Sequence, residues 1–295
     1  MPDHPARVLA ALLLATLSLS GCVTQHKPPV NPTPTPEPPA PLPSLREAAD
    51  LYNPRVAGLD RLWSRITLRI RGEDARGNRV DEETEGHLII QPPKRLSLSV
   101  TKLGEAYFLL GSNDANYWWF DLSSADRTAS IGAHEALTPG KASDFGLPVH
   151  PLDLIDLLAI TPIDPDIPGA ALRRDELGTL QFISPTRFGR RLISLDERTW
   201  RPTAVTLLDS EDAPVVSSSL SEFEPVAFAP GAFIARKATL EIVSPSVGSL
   251  EVQITLYEPE VRTLNPKVFD LEEQVQRRGI VRRIDLDAPR DRSIP

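Results

Sequence analysis

The chain has 295 residues, a formal net charge of −8 and a single cysteine, Cys22. A chain with this charge has no general attraction to nucleic acid or to an anionic membrane face. One cysteine can form neither an intramolecular disulfide nor a Cys-x-x-Cys metal site. The composition therefore excludes a disulfide-bonded scaffold and a protein that binds nucleic acid through its overall charge.

Residues 8–19 form an apolar run without a charge. A helix needs about 20 apolar residues to span a bilayer, so this run is too short, and its length matches the core of a secretory signal. Leu19, Ser20, Gly21 and Cys22 follow, and this order resembles the lipobox of bacterial lipoproteins. The resemblance implies a signal peptide over residues 1–21, cleavage between Gly21 and Cys22, and lipid on Cys22. The alternative is an ordinary secretory signal with a chance cysteine.

Residues 22–44 are predicted to be a lipidated N-terminus and a proline-rich tether. Nine of the sixteen residues from 28 to 43 are proline, which excludes a helix or a central strand. Polyproline II rises about 3.1 Å per residue, so this run forms a spacer of up to roughly 50 Å. A proline-rich ligand for a partner is the alternative. Val23 stands where an inner-membrane retention signal has aspartate, which favours the outer membrane.

The first periodic segment begins at Ser44, which precedes LREAADL with Glu47 three residues later. This spacing predicts a capping box and a helix. Asn53-Pro54 interrupts the helical period, and apolar residues up to Trp63 resume it. The pattern predicts one kinked helix or two short helices that end at Trp63.

After Trp63 the apolar residues recur with a period of two, which is typical of half-buried antiparallel strands. In KRLSLSVT, Leu96 and Leu98 are predicted to face inward. The segment PLDLIDLLAI interrupts this pattern in mid-chain, since it is apolar on most of its circumference, and Pro162 ends it. A helix of this kind is expected to be buried. Strands then resume and bring the total to about eleven.

This order predicts a mainly β fold, a single curved antiparallel sheet that forms an open, unclosed β-barrel, with helices covering its concave face. The barrel domain is predicted to span residues 45–275. Residues 276–295 are rich in arginine and interleaved with acids, which predicts a mostly solvated, disordered tail.

Three phrases in this order, ETEGHLIIQPPKRLSLSVTKLGEAYFLLGSNDANYWWFD, FGLPVHPLDLIDLLAITP and RRLISLDERTWRPTAVTLLD, resemble the LolA/LolB lipoprotein-carrier superfamily. The resemblance implies an apolar cavity that holds acyl chains of lipids or lipoproteins. It also implies an envelope lipoprotein, anchored in the outer membrane and facing the periplasm, that receives cargo from a periplasmic LolA-like carrier. The long tether and the arginine-rich tail depart from the family pattern.

The residues predicted to form the lid and the ligand cavity are Trp63, Leu96, Leu98, Leu154, Ile155 and Leu158. Leu103 and Gly104 lie in the turn between two strands. Leu103 is either folded back on the barrel rim or an exposed tip that enters lipid, and the family resemblance implies the tip.

Neither an enzyme motif such as HExxH or GxSxG nor a phosphate-binding glycine loop occurs in the sequence. The DPD at 164–166 is better explained by a proline-flanked turn than by a cation site. We therefore expect no catalytic residues, no cofactor, no metal and no nucleic-acid partner. A structural or interaction lipoprotein with a filled barrel core is the alternative to a carrier, because the same alternation fits both.

Overall fold

The computed structural model describes residues 41–73, 76–138, 150–244 and 248–288. Three α-helices occur in these ranges: α1 (Leu45–Tyr52), α2 (Pro151–Leu157) and α3 (Leu271–Arg278). The fourteen strands are β1 (Leu62–Glu73), β2 (Arg79–Gln91), β3 (Arg95–Lys102), β4 (Glu105–Ser112), β5 (Asn116–Asp121), β6 (Thr128–Ala133), β7 (Ala171–Arg174), β8 (Leu180–Pro185), β9 (Arg190–Asp196), β10 (Arg201–Leu208), β11 (Pro214–Pro225), β12 (Phe233–Ser244), β13 (Gly248–Glu260) and β14 (Arg282–Asp285). Short 3₁₀ turns cover Asn53–Val56, His134–Ala136 and Pro266–Phe269.

All fourteen strands belong to one sheet, in the order β14-β6-β5-β4-β3-β2-β1-β13-β12-β11-β10-β9-β8-β7. Strands β1–β6 form one antiparallel meander and β7–β13 form a second. The pairing of β1 with β13, in which Ile70 lies opposite Val252, joins the two meanders. Only β14 pairs in parallel, with β6.

The sheet is open, because within the described residues β14 and β7 stand at its two ends and each pairs on one side. Both strands are four residues long. Short edge strands with charged side chains limit edge-to-edge aggregation. The predicted mainly β, unclosed antiparallel sheet is therefore confirmed, with fourteen strands where the sequence predicts about eleven.

Helix α1 begins as predicted. Ser44 Oγ accepts a hydrogen bond from the Glu47 backbone N–H, and the Glu47 carboxylate accepts one from the Ser44 N–H at 2.7 Å. The prediction that helical structure continues to Trp63 is wrong. A 3₁₀ turn follows at Asn53–Val56, and Leu62 and Trp63 already belong to β1. Alternating burial along β1 and its pairing on both sides outweigh the helical spacing.

The larger hydrophobic core lies on one face of the sheet, which wraps around it. It combines inward residues of β1–β4 and β8–β13 with α1, α2 and the segment that follows α2. Helix α2 contacts β3 and β4 of the first meander and β10 of the second. The predicted covering of the concave face by α1 and α2 thus agrees with the structure.

A second, smaller core lies on the opposite face of β4–β6, under α3. Leu109, Trp118 and Phe120 point to this face, and Val275 of α3 packs against them. The chain then continues into β14, whose backbone pairs with β6. The expectation of a disordered tail is therefore wrong for residues 276–288. The sequence does not predict this ordered segment, because only one face of α3 is apolar.

The predictions for residues 1–40, which include the signal peptide, Gly21, Cys22 and most of the tether, lie outside the described residues. So does the end of the tail, residues 289–295.

Candidate functional site

Helix α2 starts at a cap built around His150. His150 Nδ1 accepts a hydrogen bond from the Leu152 backbone N–H at 3.1 Å, and Asp153 Oδ2 accepts one from the His150 N–H at 3.3 Å. Pro151 occupies the first helical position, where its missing N–H leaves no hydrogen bond unmade. The helix therefore starts with a reciprocal capping arrangement in which histidine takes the usual place of serine.

Helix α2 ends earlier than Pro162, since Leu158 caps it and Ala159 adopts a positive φ of 52°. Three side chains around the first 3₁₀ turn then hold the following segment: Tyr52, Asn53 and Arg55, which we call the clasp. The Tyr52 hydroxyl donates to Ala159 O at 3.2 Å, and Asn53 makes two hydrogen bonds with the backbone of Ile163, at 2.9 and 2.7 Å.

Arg55 is the central member of the clasp and is 8 % exposed. Its guanidinium donates to Ala159 O and to Phe233 O, the latter at 3.3 Å, and lies 4.2 Å from the centre of the Tyr52 ring. No carboxylate among the described residues forms an ion pair with it. The clasp thus joins the end of α2 to the sheet through hydrogen bonds to backbone carbonyls.

Five of the six residues predicted for the lid and the ligand cavity share the larger core. Leu96 and Leu98 of β3 lie in it together with Leu154, Ile155 and Leu158, and each is at most 6 % exposed. Trp63 does not join them, because it lies on the other face of β1, beside outward-facing Arg65. There the Arg262 guanidinium stacks on its ring at 3.7 Å, and the His87 ring lies 5.5 Å away.

A cleft of about 870 Å³ opens beside α2, and we call it the mouth cleft. Its walls are α2 and the segment after it, the β8–β9 turn and the β10–β11 turn. The apolar part of its lining comprises Leu137, Leu152, Ile155, Ile167, Phe188, Leu207, Leu208 and Val215, and the polar part includes Lys94, His150, Asp153, Asp156, Ser184, Arg187 and Arg191. A volume of this size accommodates a small-molecule ligand or an acyl chain.

An ion pair crosses the mouth cleft from α2 to β9. Arg191 donates to the Asp156 carboxylate and, at 3.1 Å, to Thr161 Oγ1. Burial raises the pKa of Asp156, and the positive charge of Arg191 opposes this rise. Ser184 lies directly opposite Arg191 on β8. Ser184 Oγ, Arg191 Nε and His150 Nε2 are all buried without a hydrogen-bond partner, so the cleft wall presents unused polar atoms.

The start of α2 carries two titratable groups whose neutral forms are favoured. Burial raises the pKa of Asp153 to about 7, and the nearby Asp156 carboxylate adds to the rise. Burial lowers the pKa of His150 to about 3, and His134 and Arg187 act in the same direction. Ionisation of either Asp153 or His150 in the folded protein therefore costs free energy. The packing of the start of α2 against the sheet is thus sensitive to pH.

One serine–histidine contact lies near the cleft, and its geometry is structural. Ser112 Oγ is 3.1 Å from His134 Nε2, but Ser112 is fully buried and also contacts Lys94 O at 2.6 Å. His134 Nε2 lies 2.9 Å from Asn113 O, so it carries the proton and does not accept one from serine. The described residues contain no cluster of His, Cys, Asp or Glu that could hold a metal ion. At the DPD, Asp164 accepts a turn hydrogen bond from Asp166 N–H, and Asp166 pairs with Arg46.

Leu103 and Gly104 form a two-residue turn between β3 and β4. Both have positive φ, 53° and 84°, as in a type I′ hairpin turn, and they join the pair Lys102–Glu105. The Leu103 side chain is fully exposed and so is not folded back on the rim. A leucine in a strained turn and fully in water contributes nothing to the core.

Comparison of the sequence with protein families and with curated proteins finds no match. Comparison of the structure finds a LolA superfamily protein from Nitrosomonas europaea, at 11 % identity and a TM-score of 0.50, over 77 % of this chain and 98 % of that one. It also finds a putative outer membrane lipoprotein-sorting protein domain from Vibrio parahaemolyticus, at 12 % identity and a TM-score of 0.51, over 78 % and 97 %.

The chain has a LolA/LolB-like fold. At these identities the likeness concerns the LolA/LolB-like fold alone. The expected fold is thereby confirmed. Among the described residues, no helix is long and apolar enough to cross a membrane.

Sequence reasoning missed the clasp and the mouth cleft, whose parts come from distant segments. The sequence gives a weak indication of the role of Arg55, because this arginine lies between Tyr52 and Val56, two residues that recur at helical spacing. The polar cleft residues Ser184 and Arg191 offer none, because a serine and an arginine on a strand are normally solvent-facing.

Proposed function

We propose that this protein is a membrane-anchored lipoprotein that binds acyl chains of lipids or lipoproteins and acts in their localisation to the outer membrane, facing the periplasm. The observation that carries the proposal is the way α2 covers the apolar face of the sheet. It packs there through buried aliphatic side chains, yet its ends are held by hydrogen bonds and one ion pair beside an open cleft.

Displacement of α2 would expose Leu154, Ile155 and Leu158 together with the sheet residues beneath them. Burial of each such side chain is worth about 1.5–3 kcal/mol, so an empty open state is unfavourable. An acyl chain on the same face restores apolar contact at about 0.8 kcal/mol per CH₂. The open state is thus favoured only when cargo replaces the lid.

The mouth cleft supports the same function because its lining combines apolar and polar side chains. An acyl chain would lie along Leu152, Ile155 and Leu207, with its polar head near Arg187 and Arg191. A periplasmic LolA-like carrier is the proposed source of the cargo.

Titration with an environment-sensitive fluorescent fatty acid tests the proposal. The full chain carrying Cys22→Ala, and hence no lipid of its own, is expected to bind the probe saturably and to release it to a triacylated lipopeptide. Mass spectrometry of lipids that copurify with the same protein is expected to find acyl lipids. Absence of both signals would contradict a carrier.

We propose that lipid on Cys22, the last residue of the lipobox-like sequence, is the membrane anchor. Several acyl chains on one residue hold a protein stably on a membrane, whereas a single chain gives only reversible binding. Metabolic labelling with a palmitate analogue is expected to label the wild type and not Cys22→Ala. Equal label on both proteins would remove the lipobox interpretation.

A structural or interaction lipoprotein with a filled barrel core is the second candidate function. The observation that favours it is the continuous packing of the larger core, in which the side chains around Leu96, Leu157 and Ile234 bury these three residues fully. The two candidates differ in hydrogen exchange. A filled core predicts that α2 opens only with global unfolding, whereas a carrier predicts that it opens at lower free energy.

A further inference from the structure

A groove of about 700 Å³ lies on the side of the molecule where α3 covers the second core. Its walls are the β3–β4 hairpin with Leu103, the β5–β6 loop with Arg127, and Gly279 just after α3. Arg127 connects two of these walls, since its guanidinium donates to Arg278 O at 2.7 Å and its carbonyl accepts from Val281 N–H at 2.9 Å. Three distant segments thus meet at one surface.

The chain that borders the groove carries four arginines in eight residues, QRRGIVRR at 276–283, and no acid. We call residues 276–283 the arginine turn. Arg283 pairs with Glu272 at 2.7 Å. No carboxylate among the described residues forms an ion pair with the other three, Arg277, Arg278 and Arg282, or with Arg127. The acids nearby in sequence are Asp126, Asp285 and Glu273, of which Glu273 pairs with Lys267 at 3.2 Å, and Glu105 lies on the groove wall.

The environment of Arg278 shows that this positive charge is not neutralised locally. Burial lowers its pKa, and the charges of Arg277 and Arg127 act in the same direction. Its Nε is buried without a hydrogen-bond partner. Three guanidinium groups therefore lie close together, and a phosphate or another anion would relieve their mutual repulsion.

Two exposed apolar side chains accompany these charges. Leu103 is fully exposed on the groove wall, and Val281, within the arginine turn, is 72 % exposed. Apolar side chains next to arginines that have no carboxylate partner within the described part of the chain match a bilayer surface, where the apolar groups enter the interface and the cations meet phosphate.

We propose that the arginine turn and the Leu103 hairpin form a docking surface for a bilayer that contains anionic phospholipid. The inference rests on the proposed function, because it names the membrane surface that the carrier meets during delivery. It also gives a role to the arginine-rich segment that departs from the family pattern. The surface is locally cationic in a chain of net charge −8, so the attraction is confined to this side.

The test is cosedimentation with vesicles of phosphatidylcholine alone or with phosphatidylglycerol added. All proteins are full chains in a common Cys22→Ala background, which removes the lipid and leaves the same leader in every variant, so that only the substituted arginines differ. The test variant is Arg277→Gln/Arg282→Gln, and both side chains are exposed. The matched control is Arg173→Gln/Arg198→Gln, which removes the same charge from exposed positions in the second meander. Arg173 also donates to a glutamine, as Arg277 does.

On phosphatidylglycerol vesicles the test variant is expected to partition about 25-fold less than the wild type, since each arginine near an anionic surface contributes about fivefold. The control is expected to match the wild type. On phosphatidylcholine all three should bind equally weakly. The wild-type advantage should vanish in about 1 M salt, where the Debye length falls to about 3 Å.

Equal partitioning of the test variant, the control and the wild type on phosphatidylglycerol would overturn the docking surface. An equal loss in the test and control variants would also overturn it, because the attraction would then follow net charge. Both outcomes are independent of fatty-acid binding. If the proposed carrier function is wrong, the fluorescent fatty acid will not bind in solution. The vesicle experiment does not depend on that result.

Discussion

Helices α2 and α3 both cover the sheet, but they are held in different ways. Helix α3 carries its own caps: Asp270 accepts from the Glu273 N–H at 3.1 Å, and Gly279 ends the helix with φ 62°. Its acids lie in the first turn and its arginines in the last, as the helix dipole favours. Helix α2 has no basic residue in its last turn, and the clasp and Ser218 bind the carbonyls at its end.

The difference indicates which helix can move. Helix α3 has a local cap at each end, and the rest of the chain adds its apolar contacts, the Arg127 hydrogen bond to Arg278 O at 2.7 Å and the Arg283–Glu272 ion pair at 2.7 Å. Helix α2 depends on side chains of distant segments, on a buried ion pair and on two groups with shifted pKa. We expect that a few changes in those contacts release α2 without unfolding the sheet, as the proposed lid role requires.

The largest effect on stability is expected when a buried apolar residue of α2 or α3 is replaced by aspartate. Leu158→Asp adds a charge to the larger core and is expected to lower the free energy of unfolding by more than about 4 kcal/mol and to abolish probe binding. Val275→Asp is expected to cost about 2–3 kcal/mol, because its core is small, and to leave probe binding intact. Thermal melts and fluorescence titration measure both; a silent Leu158→Asp would remove α2 from the lid role.

Two opposing contributions set the pH dependence at the start of α2, one from Asp153 and one from His150, over nearly the same pH range. Unfolded aspartate loses its proton near pH 4, whereas folded Asp153 keeps it to about pH 7. Its contribution to stability is present in full below about pH 4 and is lost as the pH rises to 7. The loss amounts to at most about 4 kcal/mol.

Asp153→Asn keeps an acceptor for the His150 N–H and cannot ionise. Its stability relative to the wild type is therefore expected to rise between pH 4 and 7. Urea denaturation at several pH values measures this difference, in which the contribution of His150 cancels. A difference that is constant over this range would show that Asp153 titrates normally.

The clasp is expected to give a smaller, local effect. Arg55→Met leaves the carbonyls of Ala159 and Phe233 with fewer donors, at a cost of about 1–3 kcal/mol. Hydrogen exchange should show faster opening of α2 and unchanged protection in α3. The control is Arg65→Met, which removes an exposed arginine paired with Glu258 at 2.7 Å and should leave both helices protected. Equal loosening of α2 and α3 by Arg55→Met would contradict the comparison.

The smallest effect on stability is expected at the hairpin tip. Leu103→Glu changes a fully exposed side chain and should leave the melting temperature and probe binding nearly unchanged, yet slow the transfer of bound lipid to liposomes. Leu177→Glu is the matched control, since Leu177 is 92 % exposed in the β7–β8 turn. Transfer at the wild-type rate by folded Leu103→Glu would exclude this residue from delivery.

The elements that the sequence predicted well are those with a strong local signal. The capping box at Ser44, the alternation of Leu96 and Leu98, and the apolar circumference of α2 each need no knowledge of distant residues. The exposure of Leu103 was open from the sequence, because a leucine in a turn folds back or points out according to its surroundings.

The elements that the sequence missed depend on long-range pairing. Trp63 continues a helical spacing, and only its neighbours on β2 and β13 place it in a strand with its ring outward. Strands β7 and β14 are too short for alternation to appear. Arg55 belongs to the site because backbone carbonyls more than a hundred residues away accept hydrogen bonds from its guanidinium group.

The pairing of β1 with β13 has a consequence for the order in which the chain folds. Strand β1 can pair with β2 at once, but its other edge has no partner until β13, near the end of the chain, is available. Contacts between such distant segments make folding slow, because loop closure precedes any gain in free energy. Until then, β1 is a temporary sheet edge that can recruit another chain. A chain cut before β13 keeps β1–β6 and β7–β12 as two meanders that are no longer joined, and it is therefore expected to self-associate through β1.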